Sequence, residues 1–242
     1  MFAAHFSAAQ VEEQMKQIKM FDEFKDMRDH GMRSQVDGDT AIFLISMSSF
    51  ELPPYRVVVF CASALGKEPD YRREAEELGL SLAEAGMGLV YGGTSVGLMG
   101  VLADAVLANG GEAIGFLPRL LADREIAHRS LTRLEFTETM HQRKAGMLAI
   151  ADAVVALPGG FGTLDELMEA VTWAQLGLHT KPCVVVNTLG YYDGLLRFLD
   201  TAVEAGFVTP ANRERIQAVP SVHSVMELLK RHREQRNDRR FS

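Results

Sequence analysis

Ala153-Val154-Val155-Ala156-Leu157-Pro158-Gly159-Gly160-Phe161-Gly162-Thr163-Leu164-Asp165-Glu166 passes from a short apolar run, through a glycine bend, into a helix-length segment. Four or five continuous apolar residues read as a strand buried on both faces, as the strands of a parallel sheet are. The same unit recurs on either side. VVVF at 57–60, GLVY at 88–91, AIGF at 113–116 and CVVV at 183–186 are further apolar runs, and helix-length stretches lie at about 69–86, 97–109, 138–150, 161–177 and 191–205. Strands alternating with helices need crossover connections, which leave the strands parallel and cover both faces of the sheet. The expected fold is therefore α/β, a doubly wound parallel sheet with helices on both faces. Its ligands bind outside the carboxyl ends of the strands.

Residues 1–55 differ in character from this pattern. Val11, Met15, Ile18, Phe21 and Phe24 recur at spacings of three and four, which predicts an amphipathic helix, and six of the twelve methionines fall in this segment. Such a stripe packs on its own domain or an identical subunit, or forms an adaptable partner surface. Pro53-Pro54 resists helix and strand alike and marks the boundary. The expected organisation is an N-terminal helical extension at 1–55, one α/β domain at 56–230 and a basic tail at 231–242.

The chain has 242 residues, 47% hydrophobic and 24% charged, with a formal net charge of −7. The tail carries five arginines against Glu234 and Asp238, which leaves it at +3 and the remainder at −10. An acidic body argues against nucleic acid as a partner, since that binding rests on clustered Lys and Arg; the tail reads as a solvated helix end. The amino terminus lacks a secretory signal pattern, and no run approaches the roughly 20 apolar residues of a membrane span. Cys61 and Cys183 sit inside apolar runs, where a thiol behaves as a small buried hydrophobe, and this favours a reducing cytoplasm.

Two loops carry the candidate chemistry. One is Tyr91-Gly92-Gly93-Thr94-Ser95-Val96-Gly97-Leu98-Met99-Gly100; the other is the Pro158 to Glu166 segment, and each runs from a strand end into a helix. Glycine lets a ligand approach the backbone, and amides at a helix amino terminus favour an anion. Two such loops at one sheet edge suit a phosphate and a sugar. Neither is a P-loop, and the dinucleotide fingerprint is missing after the first strand, where the chain reads Cys61-Ala62-Ser63-Ala64-Leu65-Gly66-Lys67.

Between the loops lies Met140-His141-Gln142-Arg143-Lys144-Ala145-Gly146-Met147 at a helix start. Its Arg-Lys pair reads either as a phosphate clamp or as an exposed helix face. Glu166, about one turn into its helix, reads either as a carboxylate kept ionised by the helix dipole or as the glutamate of a capping box whose cap is Thr163.

Together and in this order these segments resemble the LOG family of nucleoside 5′-monophosphate phosphoribohydrolases, long labelled lysine decarboxylases. The resemblance covers about residues 56–230. It is carried by PGGxGTxxE at Pro158 to Glu166, GGxxxGLMG at Gly92 to Gly100, MHxRK at Met140 to Lys144 and TWxQLGxHxKP at Thr172 to Pro182. It implies a Rossmann-like fold, dimers or larger assemblies, no metal or organic cofactor, and hydrolysis of a nucleotide N-glycosidic bond to free base and ribose 5-phosphate. It marks Arg143 and Glu166 as catalytic. The substrate-binding positions it implies are Ser63, Gly92, Gly93, Thr94, Gly97, Met99, Glu125, Lys144, Gly160, Phe161, Gly162, Thr163, Leu164, Asp165 and Thr172.

On this reading Glu166 stabilises an oxocarbenium-like ribose or activates water, while Arg143 and the loop amides hold the phosphate or ribose. The sequence departs from the family at Ala62, where the pattern has glycine, and at Thr94, where a third glycine is frequent. A non-hydrolytic nucleotide or molybdenum-cofactor carrier of the same superfamily is the alternative. Lysine decarboxylation is a third, but no segment offers a setting for a pyridoxal-phosphate lysine.

Overall fold

A computed structural model describes residues 54–122 and 127–241. The amphipathic helix expected in the N-terminal extension, and Glu125, lie outside the described residues. Seven parallel strands form one sheet: β1 (Arg56–Phe60), β2 (Gly88–Tyr91), β3 (Ala113–Pro118), β4 (Arg133–Thr137), β5 (Ala153–Ala156), β6 (Cys183–Val186) and β7 (Ile216–Val219). Their order across the sheet is β4-β3-β2-β1-β5-β6-β7. The chain winds outward from β1 in one direction and then resumes beside β1 with β5. The switch point, where doubly wound folds bind their ligands, therefore falls between β1 and β5.

The helices are α1 (Pro69–Glu84), α2 (Gly97–Ala108), α3 (Arg119–Ala122), α4 (Met140–Ile150), α5 (Phe161–Gln175), α6 (Asp193–Glu204), α7 (Pro210–Arg213) and α8 (Val222–Phe241). Alternate residues of each strand face opposite sides of the sheet. Val57 and Val59 accordingly join Leu78, Leu102 and Val225 in a core with α1, α2 and α8, while Val58 and Phe60 join Met147 and Leu167 in a second core with α4 and α5. The expected helices over 69–86, 97–109, 138–150, 161–177 and 191–205 all form, with ends within two residues of those bounds.

β4, β7 and α8 fall outside the expected elements. β4 and β7 are the sheet's edge strands and carry exposed polar residues such as Arg133 and Gln217, so neither is a continuous apolar run. The basic tail is the second half of α8, which crosses residue 231 without a break. Its inward side is engaged rather than solvated: His232 Nδ1 lies 2.7 Å from the Tyr55 hydroxyl, Arg236 is 2.7 Å from Asp152, and Arg233 donates to the Ala85 carbonyl at 2.7 Å. Both cysteines are buried and free, and burial pushes the Cys183 thiol up to about 12. Among the described residues no helix is long and apolar enough to cross a membrane.

His179, in the turn after α5, is buried, its ring clamped between the Ala170 carbonyl at 3.0 Å from Nε2 and the Lys181 amide, which donates to Nδ1 at 3.2 Å. Burial, helped by the charge of Lys181, lowers its pKa from 6.5 to about 4. The unfolded chain takes up this proton below the ordinary value and the folded chain resists it, so the stability is intact above 6.5 and drains away as pH falls toward 4. At about 1.4 kcal/mol per unit the contribution is on the order of 3 kcal/mol. Urea unfolding should show His179→Gln losing less stability than wild type between pH 7 and pH 4; equal losses would contradict this.

Candidate active site

α4 is started by a capping box: the Gln142 amide donates to Thr139 Oγ1 at 3.1 Å and the Thr139 amide to Gln142 Oε1 at 3.3 Å. The start places Arg143 and Lys144 on the first turns, turned inward. Neither lies on an exposed helix face, because Arg143 is 8% and Lys144 6% exposed.

Arg143 ties three elements together. Its Nε donates to the Phe116 carbonyl of β3 at 3.0 Å, and its Nη1 to Glu166 Oε1 of α5 at 2.5 Å. Its Nη2 lies over Gly92, where a Cβ would collide with the guanidinium. Glycine at 92 is thus the room that Arg143 occupies. Glu166 is 9% exposed. Burial pushes its carboxyl pKa up, and the Arg143 charge and hydrogen bond oppose that push.

Lys144 is occupied as well, with Nζ 2.9 Å from Asp165 Oδ2 and 3.2 Å from Glu169 Oε2. Burial works against its charge, but Asp165 and Glu169 outweigh it and hold its pKa above the ordinary value. The Arg-Lys pair expected as a phosphate clamp is thus ion-paired within the chain. Both cations answer carboxylates of α5, and among these five side chains the negative charges outnumber the positive. Backbone amides at a helix start are a further set of anion-favouring groups.

The amides are available at α5. Its cap is Gly160, with no side-chain cap, and the first residue to donate back into the helix is Leu164, to Gly160 at 3.1 Å. Phe161, Gly162 and Thr163 thus present the unpaired N–H groups of a helix start. Space is open around Gly160 and Gly162, and the Phe161 side chain is 93% exposed. The capping-box reading of Thr163 and Glu166 is corrected here, since both lie inside the helix and Thr163 is buried beneath Gly159.

The first glycine loop closes the other side. Gly97 has a positive φ of 59°, and a Cβ there would run into the backbone of Ser63 and Ala64, so the β1 and β2 loops pack directly on each other. Leu98 donates to the Ala62 carbonyl at 3.0 Å, and the Ala62 side chain packs on the core. Ser63 is exposed beside them. Thr94 is buried, forms a lone bridge with Ala127, and reaches Met99 Sδ at 3.5 Å. The Gly93 carbonyl accepts from the His128 amide at 2.9 Å.

The structure thus brings Arg143, Glu166, Gly92 and the Gly160 to Thr163 turn to the β1/β5 switch point. Two expected binding residues stand apart in the chain. The Leu164 side chain packs against the core under α5. Thr172 is exposed and donates to the Met168 carbonyl at 2.7 Å, about 9 Å further along α5 than Glu166. Glu169, the second partner of Lys144, was signalled only by its i, i+4 spacing from Asp165.

A doubly wound α/β sheet with two glycine loops at its switch point and a buried Arg-Glu pair between them is a nucleotide-site architecture. The family model described as "Possible lysine decarboxylase" matches residues 99–229. A cytokinin riboside 5′-monophosphate phosphoribohydrolase of Arabidopsis thaliana is 47% identical over 174 residues, 72% of this chain and 80% of that protein. A probable cytokinin riboside 5′-monophosphate phosphoribohydrolase of Oryza sativa subsp. japonica is 48% identical over 171 residues, 71% of this chain and 70% of that one. The chain belongs to this family, the LOG family. Among solved structures it is similar to the Moco carrier protein of Chlamydomonas reinhardtii, at TM-score 0.59 and 21% identity over 76% of this chain and 99% of that one. It is also similar to the molybdenum cofactor binding protein of Rippkaea orientalis, at TM-score 0.55 and 24% identity over 75% and 98%. At those identities the likeness is one of fold.

Proposed function

We propose that this chain is a nucleoside 5′-monophosphate phosphoribohydrolase: it adds water across the N-glycosidic bond of AMP-like or cytokinin nucleotides and releases free base and ribose 5-phosphate. The observation that carries the reading is the buried Arg143-Glu166 pair between the two glycine loops. Cleavage leaves positive charge on the ribose, and a buried carboxylate stabilises that charge or takes a proton from the attacking water. Arg143 keeps Glu166 oriented and charged, since a lone carboxylate buried this deeply would take up a proton. The amides of Phe161 to Thr163 hold the 5′-phosphate.

Lysine decarboxylation fits the residues poorly. A Schiff-base lysine is activated by losing its proton, whereas Asp165 and Glu169 hold Lys144 charged. The reading extends to an AMP nucleosidase type of activity, to a cytoplasmic setting supported by two free buried thiols, and to a homo-oligomer supported by exposed Phe198 and Phe207. Residues 56–230 would form the catalytic domain, with 1–55 appended.

A substrate panel tests it. The purified chain should release base and ribose 5-phosphate from AMP or from an N6-modified AMP, should spare the corresponding nucleosides, and should form no cadaverine from lysine. Tight nucleotide binding without base release would favour the carrier reading instead.

A further inference from the structure

We propose that Tyr191 is a positioning residue for the second glycine loop, set there by the turn after β6. The loop runs three carbonyls beyond β5, and each of the three accepts a hydrogen bond. The Tyr192 hydroxyl donates to Leu157 at 2.7 Å, the Ala62 amide to Pro158 at 3.2 Å, and the Tyr191 hydroxyl to Gly159 at 2.7 Å. Two adjacent tyrosines thus bracket the point where the loop turns into α5.

The turn that aims them is tightly specified. Asn187 accepts the Tyr192 amide at 2.7 Å through Oδ1 and donates to Asp193 Oδ1 at 2.8 Å through Nδ2, while its own amide donates to Val219 at 2.8 Å. Leu189 is left at a φ of 52°, a conformation that side-chain-bearing residues rarely adopt and that the surrounding bonds impose.

The loop needs such support. Gly159, Gly160 and Gly162 give it wide backbone freedom, and open space surrounds the last two. Any drift there moves the amides of Phe161 to Thr163 and, through α5, Glu166. The two tyrosines differ in what else they do. Tyr192 is 1% exposed and is part of the core. Tyr191 is 44% exposed, and its ring rests edge-on against Tyr71 and Tyr192 with centroids 5.8 and 5.1 Å away. Its hydroxyl can be removed with the ring contacts kept.

The functional half of this inference rests on the phosphoribohydrolase reading, so the test is Tyr191→Phe with two independent readouts. In hydrogen exchange, the Ala62 amide, bonded to Pro158, and the Leu164 amide, bonded to Gly160, should exchange faster than in wild type at an unchanged melting temperature. In kinetics with AMP, kcat/KM should fall about 5- to 10-fold, mostly through KM, as expected when a cradle that binds substrate and transition state alike is loosened. A general folding defect would instead lower kcat and the melting temperature at constant KM, and that result overturns the proposal. Unchanged exchange overturns it too, as does faster exchange with kinetics within twofold of an active wild type. If wild type hydrolyses no nucleotide yet the exchange responds as expected, the positioning role stands and the phosphoribohydrolase reading fails.

Discussion

Glu166→Gln is expected to lower base release by about 10²- to 10⁴-fold while nucleotide affinity stays within a few-fold of wild type. The substitution keeps the shape and one hydrogen-bond acceptor for Arg143 Nη1, which in wild type lies 2.5 Å from Glu166 Oε1. It removes the negative charge that would face the developing cation on the ribose. Turnover assays set beside calorimetric titration separate the two effects. Near-normal turnover would remove Glu166 from the chemistry, and lost binding would make it a substrate anchor. The pH dependence has a definite sign. On the proposed mechanism the carboxylate is the active form, and burial pushes its pKa above the ordinary 4.5 against the opposing Arg143 charge. The acid limb of kcat/KM should therefore lie above the usual carboxylate range and vanish in the glutamine variant.

The second large effect is expected at Arg143. Arg143→Ala leaves Glu166 buried without its partner and the Phe116 carbonyl without the Nε donor. Removing one member of a buried pair costs about 3–5 kcal/mol, so chemical unfolding should show a large loss of stability. Arg143→Lys keeps the charge but not the fork that reaches Phe116 and Glu166 together. Its stability should lie between wild type and the alanine variant, with kcat about 100-fold down as Glu166 loses its orientation. If the two residues act as a unit, Arg143→Lys adds little to Glu166→Gln in the double variant. Additive losses would show that they act separately.

Much of this architecture was legible in the chain. The five central strands are buried on both faces, and burial on both faces is what produces uninterrupted runs such as Val57 to Phe60. β4 and β7 have a strand on one side only, so Arg133, Glu135 and Gln217 break their pattern. α8 does carry Val222, Val225, Met226 and Leu229 at helical spacing, but its many charges give it the look of a polar tail. For the site, glycine patterns locate the loops because the Arg143 side chain at Gly92, the Ser63-Ala64 backbone at Gly97 and Thr163 at Gly159 each need the missing Cβ. What spacing could not show is pairing. Arg143 and Glu166 stand 23 residues apart, and only the sheet, by carrying α4 and α5 on one face, joins them and places Lys144 between Asp165 and Glu169. Tyr191 and Tyr192 left no trace because their partners are backbone carbonyls, which every residue has.

The central claim is that the Arg143-Glu166 pair serves cleavage of the bond between base and ribose. Purified wild type and Glu166→Gln, each incubated with AMP while adenine, ribose 5-phosphate, adenosine and inorganic phosphate are followed together, test it most directly. Equal amounts of adenine and ribose 5-phosphate from wild type, and almost none from the variant, are predicted. Adenosine with inorganic phosphate, or equal adenine release by both proteins, would contradict it.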